Sequence, residues 1–412
     1  MDEGQKAVTL EVKSIKRMLR ILASGFVLNG VAAIVGLAKM GVVSHSIDSR
    51  LIPTYFTCLA IWGWYAVNGE SVRQSTRQQE LEFSWKVGLS SFKYEWKLLI
   101  PFTIAILVIS EFTNVLRDKI RLQDVLITVL CGWLFVYTST STGILESRGR
   151  IELSNWITLG TSLISLPFFI YLASKASFSI LLTVYFLLNL FNGLLHGLIL
   201  SQRKEFRRIP RTRVNENPDT GEFKKVLLLE SLPRVAAPLL LAFFSVGSEL
   251  TLYSVLSRIF LIYGIYAISI TPIVSLKGRK FSPTSIDRVL GIIGPIIFVM
   301  ATFVVVLYSG ELIALVSSTI IDLSFLDLLS FALLGALSIS TQPFIASICS
   351  GLGLRMRSKS AFVAVLAGLV YLPVLVNFFG SSGAFFSLSI HQITYYALLK
   401  RYSKHNSFYN SN

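Results

Sequence analysis

Twelve apolar stretches, each near the length needed to cross a hydrocarbon core of about 30 Å, leave this chain few ways to fold. They lie near 21–43, 51–68, 97–115, 123–144, 153–173, 178–200, 225–246, 250–275, 287–308, 323–350, 360–379 and 382–399. Lipid offers no hydrogen bonds, so each stretch must satisfy its backbone internally, and helix is the form that does so. Composition agrees: 53% of the 412 residues are hydrophobic and 15% are charged, where soluble domains carry about 25% charged residues. The stretch 311–322 reads as an outer loop or a short re-entrant piece.

The formal charge of +15 would suit a nucleic-acid binder, but its placement excludes that partner. Alternate connections between spans differ sharply in Lys and Arg. The set containing the N-terminus, 69–97, 145–152, 201–224, 276–288, 351–359 and the C-terminal tail holds thirty, counting Lys225 at the start of the seventh span. The opposite set holds five. Basic residues collect on the cytoplasmic side of short loops, so both termini are expected in the cytoplasm. No secretory signal is read, because residues 1–20 are polar and basic and the first apolar stretch continues as a full span. Connection 69–97 mixes Phe83, Trp85, Phe92 and Trp96 with lysines, as an interfacial helix would. Connection 201–224 is basic, proline-containing and without an apolar pattern, so it is expected to be a linker.

The fold expected is an all-α integral membrane protein of about twelve helices. Its two six-helix bundles occupy 1–201 and 225–412, joined by a basic cytoplasmic linker over 202–224. An even number of spans per half gives the halves one orientation, so any repeat is of the parallel kind. Comparison of 19–69 with 226–276 finds no residue-level match, and the symmetry rests on span spacing.

The costliest residues fall in 224–275, KKVLLLESLPRVAAPLLLAFFSVGSELTLYSVLSRIFLIYGIYAISITPIVS, read as two helices with a turn near Gly247–Glu249. The first carries Glu230, Arg234, Pro233 and Pro238; the second carries Arg258 and Pro272. A charge at mid-bilayer costs roughly 3 kcal/mol or more, so such residues face a bundle interior or a wet cavity. At 1.5 Å per residue Arg234 lies about 14 Å in from Lys225, and Arg258 about 12 Å in from Leu250. Both therefore sit near one depth, which points to a central cationic cavity with Arg234 and Arg258 as substrate-binding residues. Glu230 precedes Arg234 by four, the favoured order for an i,i+4 pair. That pair either neutralises itself or holds Arg234 until an anion competes for it.

Other mid-span polar groups are sparser. Lys39, near the outer end of its helix, either snorkels to the surface or adds a weaker third cation to the cavity. Glu111, His196 and His391 join Glu230 as candidates for coupling transport to an ion. Each histidine reads first as a hydrogen-bonded helix contact and only second as a proton relay. The cysteines Cys58, Cys131 and Cys349 lie in apolar segments without metal-ligand spacing.

Several chemistries have no residues to carry them. No Walker-type glycine loop is present, so the chain is not its own ATPase. No HExxH or paired His and Cys cluster suggests a metal, and no cofactor is expected. The first outer loop, SHSIDSR, offers only His45 and Asp48, too few for a metal-dependent glycosyltransferase using a lipid-linked donor. The expectation is a transporter and not an enzyme.

Two stretches resemble a known family. RMLRILASGFVLNGVAAIVGLAKMGVVSHSIDSRLIPTYFTCLAIWGWYAVNGESVRQSTRQ is similar to the opening of polysaccharide flippases: a basic amphipathic start, helix 1, a short polar turn, then helix 2 ending in Gly and a basic loop. SELTLYSVLSRIFLIYGIYAISITPIVS resembles the start of that family's second half, through Glu249, Leu252, Tyr253, Arg258, Ile259 and Pro272. The family is the O-antigen translocase branch of the multidrug, oligosaccharidyl-lipid and polysaccharide exporter superfamily. The resemblance implies a V-shaped pair of six-helix bundles whose helices 1, 2, 7 and 8 line a central opening. It implies a short oligosaccharide on undecaprenyl pyrophosphate, moved from the inner to the outer leaflet of a bacterial inner membrane, with membrane lipids as surroundings. A polysaccharide polymerase and a chain-length regulator would be partners. Arginine forks suit phosphate oxygens, in keeping with Arg234 and Arg258. The chain departs from the drug-exporter branch in having no acidic residue in helix 1, and it is too short for the fourteen-helix peptidoglycan-precursor flippases. The alternative is a twelve-helix small-molecule or drug transporter. GESVRQSTRQ does not match the Gly-Asp-Arg-rich loop of major-facilitator proteins.

Overall fold

The computed structural model describes residues 3–78, 96–97, 99–108, 121–148, 150–173, 175–202, 218–244, 247–260, 263, 283–316, 323–349 and 354–409. Among these residues the chain is helical, with no strand. In chain order the helices are α1 (Glu3–Ser46), α2 (Ile52–Gln78), α3 (Leu99–Val108), α4 (Leu122–Ser147), α5 (Ile151–Ala173), α6 (Phe178–Gln202), α7 (Pro218–Phe244), α8 (Gly247–Ile259), α9 (Pro283–Val316) and α10 (Phe325–Cys349). A last helical run, Leu354–Tyr409, breaks at Gly380 into α11 (354–379) and α12 (381–409). Every expected span thus meets a helix, and the fold is that of an all-α membrane protein.

The break at Gly380 has a local cause. Its φ of 52° is a left-handed conformation that glycine adopts without a Cβ penalty. The Glu249 carboxylate fills the space beside it and accepts the Ser381 backbone N–H at 2.8 Å. That carboxylate caps α12, satisfying a donor that a helix start otherwise leaves unpaired. At the start of α10, Ser324 and Asp327 form a reciprocal cap: the Asp327 carboxylate accepts from Ser324 N–H at 3.1 Å, and Ser324 Oγ accepts from Asp327 N–H at 3.1 Å.

The structure changes two expectations. The connection 201–224 is not wholly a linker: α7 begins at Pro218, since proline suits a first helical turn, where its missing N–H has no partner to lose. The ambiguous stretch 311–322 continues α9 as helix to Val316; 317–322 lies outside the described residues. Most of the expected interfacial helix in 69–97 also lies outside them, although α2 runs on to Gln78.

Exposure sorts the helices. Among the described residues, six segments are long and apolar enough to cross a membrane: Ala23–Ser46, Leu122–Ser147, Ile151–Ala173, Phe178–Gln202, Ile292–Val316 and Arg355–Tyr402. Their outward faces carry Leu130, Ile164, Val299, Phe303, Val370 and Phe378, all exposed, as lipid contact requires. Inside them α2 packs on α4, α7 and α8, and its Tyr55, Phe56, Cys58 and Tyr65 are buried.

Several contacts of the N-terminal half recur in the C-terminal half. The Tyr65 and Thr103 hydroxyls lie 2.8 Å apart between α2 and α3; those of Tyr263, just past α8, and Thr302 on α9 lie 2.9 Å apart. Gly132 on α4 gives room to the Tyr65 ring, and Gly335 on α10 gives room to that of Tyr263. Ser179 at the start of α6 donates to Asp124 Oδ1 at 2.6 Å, and Ser382 at the start of α12 donates to Asp327 Oδ1 at 2.5 Å. One sequence offset carries Asp124 to Asp327, Gly132 to Gly335 and Ser179 to Ser382. These are buried helix-to-helix contacts, which helix crossings in lipid use in place of hydrophobic burial.

Candidate functional site: a cavity with one polar wall

A cavity of about 330 Å³ lies between the halves. Its first wall is α2, through Phe56, Leu59, Ala60, Gly63 and Val67. Facing it are Arg234, Val235 and Pro238 of α7 and Tyr253, Ser254, Ser257 and Arg258 of α8, with Phe260 just beyond. Leu334 of α10 and Phe385 and Leu388 of α12 complete the lining.

The repeat explains why the walls differ. The offset that relates Tyr65 to Tyr263 also relates Tyr55 to Tyr253, Phe56 to Ser254, Leu59 to Ser257 and Ala60 to Arg258. Equivalent cavity-facing positions are therefore apolar on α2 and polar or cationic on α8. The side chains thus make the cavity amphipathic.

Local structure places both arginines. Pro233 and Pro238 lie within α7. Pro238 has no N–H for the Arg234 carbonyl, which loosens the helix where it borders the cavity. Arg258 stands in the last turn of α8, where unpaired C-terminal carbonyls favour a cation. Arg234 is open to the cavity and Arg258 is half-buried. Among the described residues neither guanidinium makes a hydrogen bond or an ion pair. Among the described residues, the site thus presents two forks without a bound partner to whatever occupies it.

The structure does not bring Glu230 to Arg234. The Glu230 carboxylate turns away and accepts from Arg357 Nε at 3.0 Å and Nη2 at 3.2 Å, at the start of α11. The Tyr395 hydroxyl of α12 donates to it as well. The expected i,i+4 pair gives way because a guanidinium fork offers two aligned donors to one carboxylate. Lys39, half-buried on α1, is not part of the lining, and among the described residues α1 supplies no lining residue, in contrast to the expected set of helices 1, 2, 7 and 8. Glu111 lies outside the described residues.

The two histidines are interior to their own halves. His196 donates from Nδ1 to the Asn192 carbonyl at 2.7 Å, and its Nε2 lies 3.0 Å from Ser154 Oγ. Ser154 Oγ is also 3.3 Å from Glu146 Oε1. Glu146 is buried and ion-paired with Arg73, which also reaches Glu70 at 3.1 Å. The single Ser154 hydroxyl proton serves either the neutral imidazole or Glu146, so the order of this chain depends on the charge of His196. His391 stacks on Tyr395 with ring centroids 6.2 Å apart. Its Nδ1 has no hydrogen-bond partner among the described residues.

Away from the cavity, the end of α1 is tied to the end of α9. Ser44 Oγ donates to the Val316 carbonyl at 2.7 Å, and His45 Nε2 to the Ala314 carbonyl at 2.9 Å. Gly41 allows this approach, because a methyl group there would overlap the Leu315 carbonyl oxygen. The halves are closed together at this end.

Sequence reasoning missed Arg357 and Tyr395; helix 2 was expected at the opening, but only from the resemblance. In the sequence Arg357 is one of the loop cations that set topology. Helix α11 starts before it, at Leu354, and aims it at α7.

No protein-family model matches the chain, and no curated protein matches it. Solved structures share its fold. An outward-facing multidrug resistance MATE family transporter of the MOP superfamily aligns at a TM-score of 0.62 and 12% identity, over 95% of this chain and 96% of that one. A MOP superfamily transporter from Pyrococcus furiosus, described as having a binding pocket of reverse polarity, aligns equally well, at 0.62 and 12% over the same shares. The lipid II flippase MurJ, in an inward closed conformation, aligns at 0.57 and 17%, over 92% of this chain and 87% of that one. At these identities the likeness establishes the fold.

Proposed function

We propose that this chain is a flippase for an anionic lipid-linked oligosaccharide, of the kind carried on undecaprenyl pyrophosphate as an O-antigen-type repeat unit. It would move that unit from the cytoplasmic to the periplasmic leaflet of a bacterial inner membrane. The observation that carries this reading is the pair of guanidinium groups, Arg234 and Arg258, which have no hydrogen bond or ion pair among the described residues, on one wall of a cavity whose other wall is apolar. A pyrophosphate ester matches both walls: its oxygens suit the forks, and the alcohol it is joined to suits α2. The shared fold with a lipid II flippase supports it. The charge asymmetry of the connections supports cytoplasmic termini. A polymerase and a chain-length regulator are the partners such a pathway would supply.

A second reading is a small-molecule transporter, favoured by the fold shared with MATE drug transporters. Two like charges in the cavity count against a cationic drug. Complementation of a flippase-deficient strain tests the choice. Restored long-chain polysaccharide is expected from the wild type. Arg258→Lys, which keeps charge but loses the fork, should retain part of it, and Arg258→Ala should lose it at normal membrane abundance. Full display by the alanine variant would refute the role of Arg258.

A further inference from the structure

Glu230 and Arg234 share one face of α7, four residues apart, where an acid before a base normally pairs with it. Inside a bundle that attraction is stronger than in water, because the surroundings screen it poorly. A carboxylate so placed would neutralise Arg234 and remove half of the cavity's cationic character. The structure holds it elsewhere. Arg357 Nε donates to Glu230 Oε1 at 3.0 Å and Nη2 to Oε2 at 3.2 Å. Tyr395, itself buried, adds its hydroxyl. Both carboxylate oxygens are engaged, and the compensating charge comes from α11 on the side away from the cavity. His391, stacked on Tyr395, closes the back of this arrangement.

We propose that Arg357, with Tyr395, is a positioning residue that sequesters the Glu230 carboxylate and so keeps Arg234 available to an anion in the cavity. This rests on the reading of the cavity as an anion site. Arg357 is not part of the cavity lining; it acts through Glu230. If it is removed, Glu230 turns along its own helix face to Arg234, and the cavity competes for anions with an internal carboxylate. Removal of the Glu230 charge should then restore binding, although it adds no contact to the ligand. A merely structural tie between α7 and α11 predicts instead that binding falls and recovers only in step with thermal stability.

The test uses the full chain purified in detergent, with farnesyl pyrophosphate as the probe and inorganic pyrophosphate as a head-group control. Binding is read by titration, and thermal melting is followed in parallel. Arg357→Met should weaken farnesyl pyrophosphate binding by about tenfold, equivalent to about 1.4 kcal/mol. Glu230→Gln alone should bind as tightly as the wild type or more tightly. The double variant R357M/E230Q should return to within about threefold of the wild type, a difference of less than about 1 kcal/mol. If R357M does not fold, Tyr395→Phe supplies a milder version, with weaker binding that E230Q again rescues. The proposal is overturned if folded R357M binds like the wild type, or if the double variant stays as weak as R357M. Wild-type binding that survives the loss of both Arg234 and Arg258 would instead overturn the anion-site reading itself, and this proposal with it.

Discussion

Replacing Gly41 by alanine should open the end of the molecule where α1 meets α9. Gly41 lies against the Leu315 carbonyl, and an added methyl group would overlap that oxygen. The obstacle is backbone, so no side chain can swing aside, and the two helices must separate. Separation removes the bonds from Ser44 Oγ to the Val316 carbonyl, 2.7 Å, and from His45 Nε2 to the Ala314 carbonyl, 2.9 Å. At about 1 kcal/mol net for each, the closed arrangement loses about 2 kcal/mol, a shift of about thirtyfold toward the open one. A cysteine at Val316, fully buried in the closed form, reports this without disturbing the carbonyl that Ser44 uses. In a background lacking the native cysteines, a small maleimide should modify V316C about thirtyfold faster when G41A is present, provided opening is fast relative to reaction. Equal rates in the two proteins, with unchanged melting, would refute the argument that Gly41 permits this closure.

Other outcomes follow from the same structure. Glu146→Ala should destabilise the N-terminal half by about 3 kcal/mol or more, read by thermal melting in detergent, because it strips a buried partner from Arg73. Gly380→Ala should cost about 1–2 kcal/mol, since it places a side chain at positive φ and against the Glu249 carboxylate that caps α12. Both effects should be larger than that of an alanine at exposed Ser340, which should melt within about 0.5 kcal/mol of the wild type. Impermeant thiol labelling of a cysteine at Asn215 should succeed only from the cytoplasmic side; labelling from the periplasm would overturn the expected topology.

The sequence by itself determined the helical membrane fold, because lipid leaves an apolar span no other way to satisfy its backbone. It also located the break near residue 380 and singled out Arg234 and Arg258, since a charge deep in an apolar span demands an explanation wherever it sits. Contacts between distant helices lay beyond it. The repeat escaped the comparison of 19–69 with 226–276 because its matching pairs, such as Tyr65 with Thr103 and Tyr263 with Thr302, join different helices. Glu230 looked like the partner of Arg234, and only the tertiary structure could bring Arg357 and Tyr395 close enough to compete for it. The apolar wall of α2 had no signal of its own, because an apolar residue facing lipid and one facing a cavity read alike in a sequence. Periodicity records how much of a helix is apolar; packing decides what each face meets.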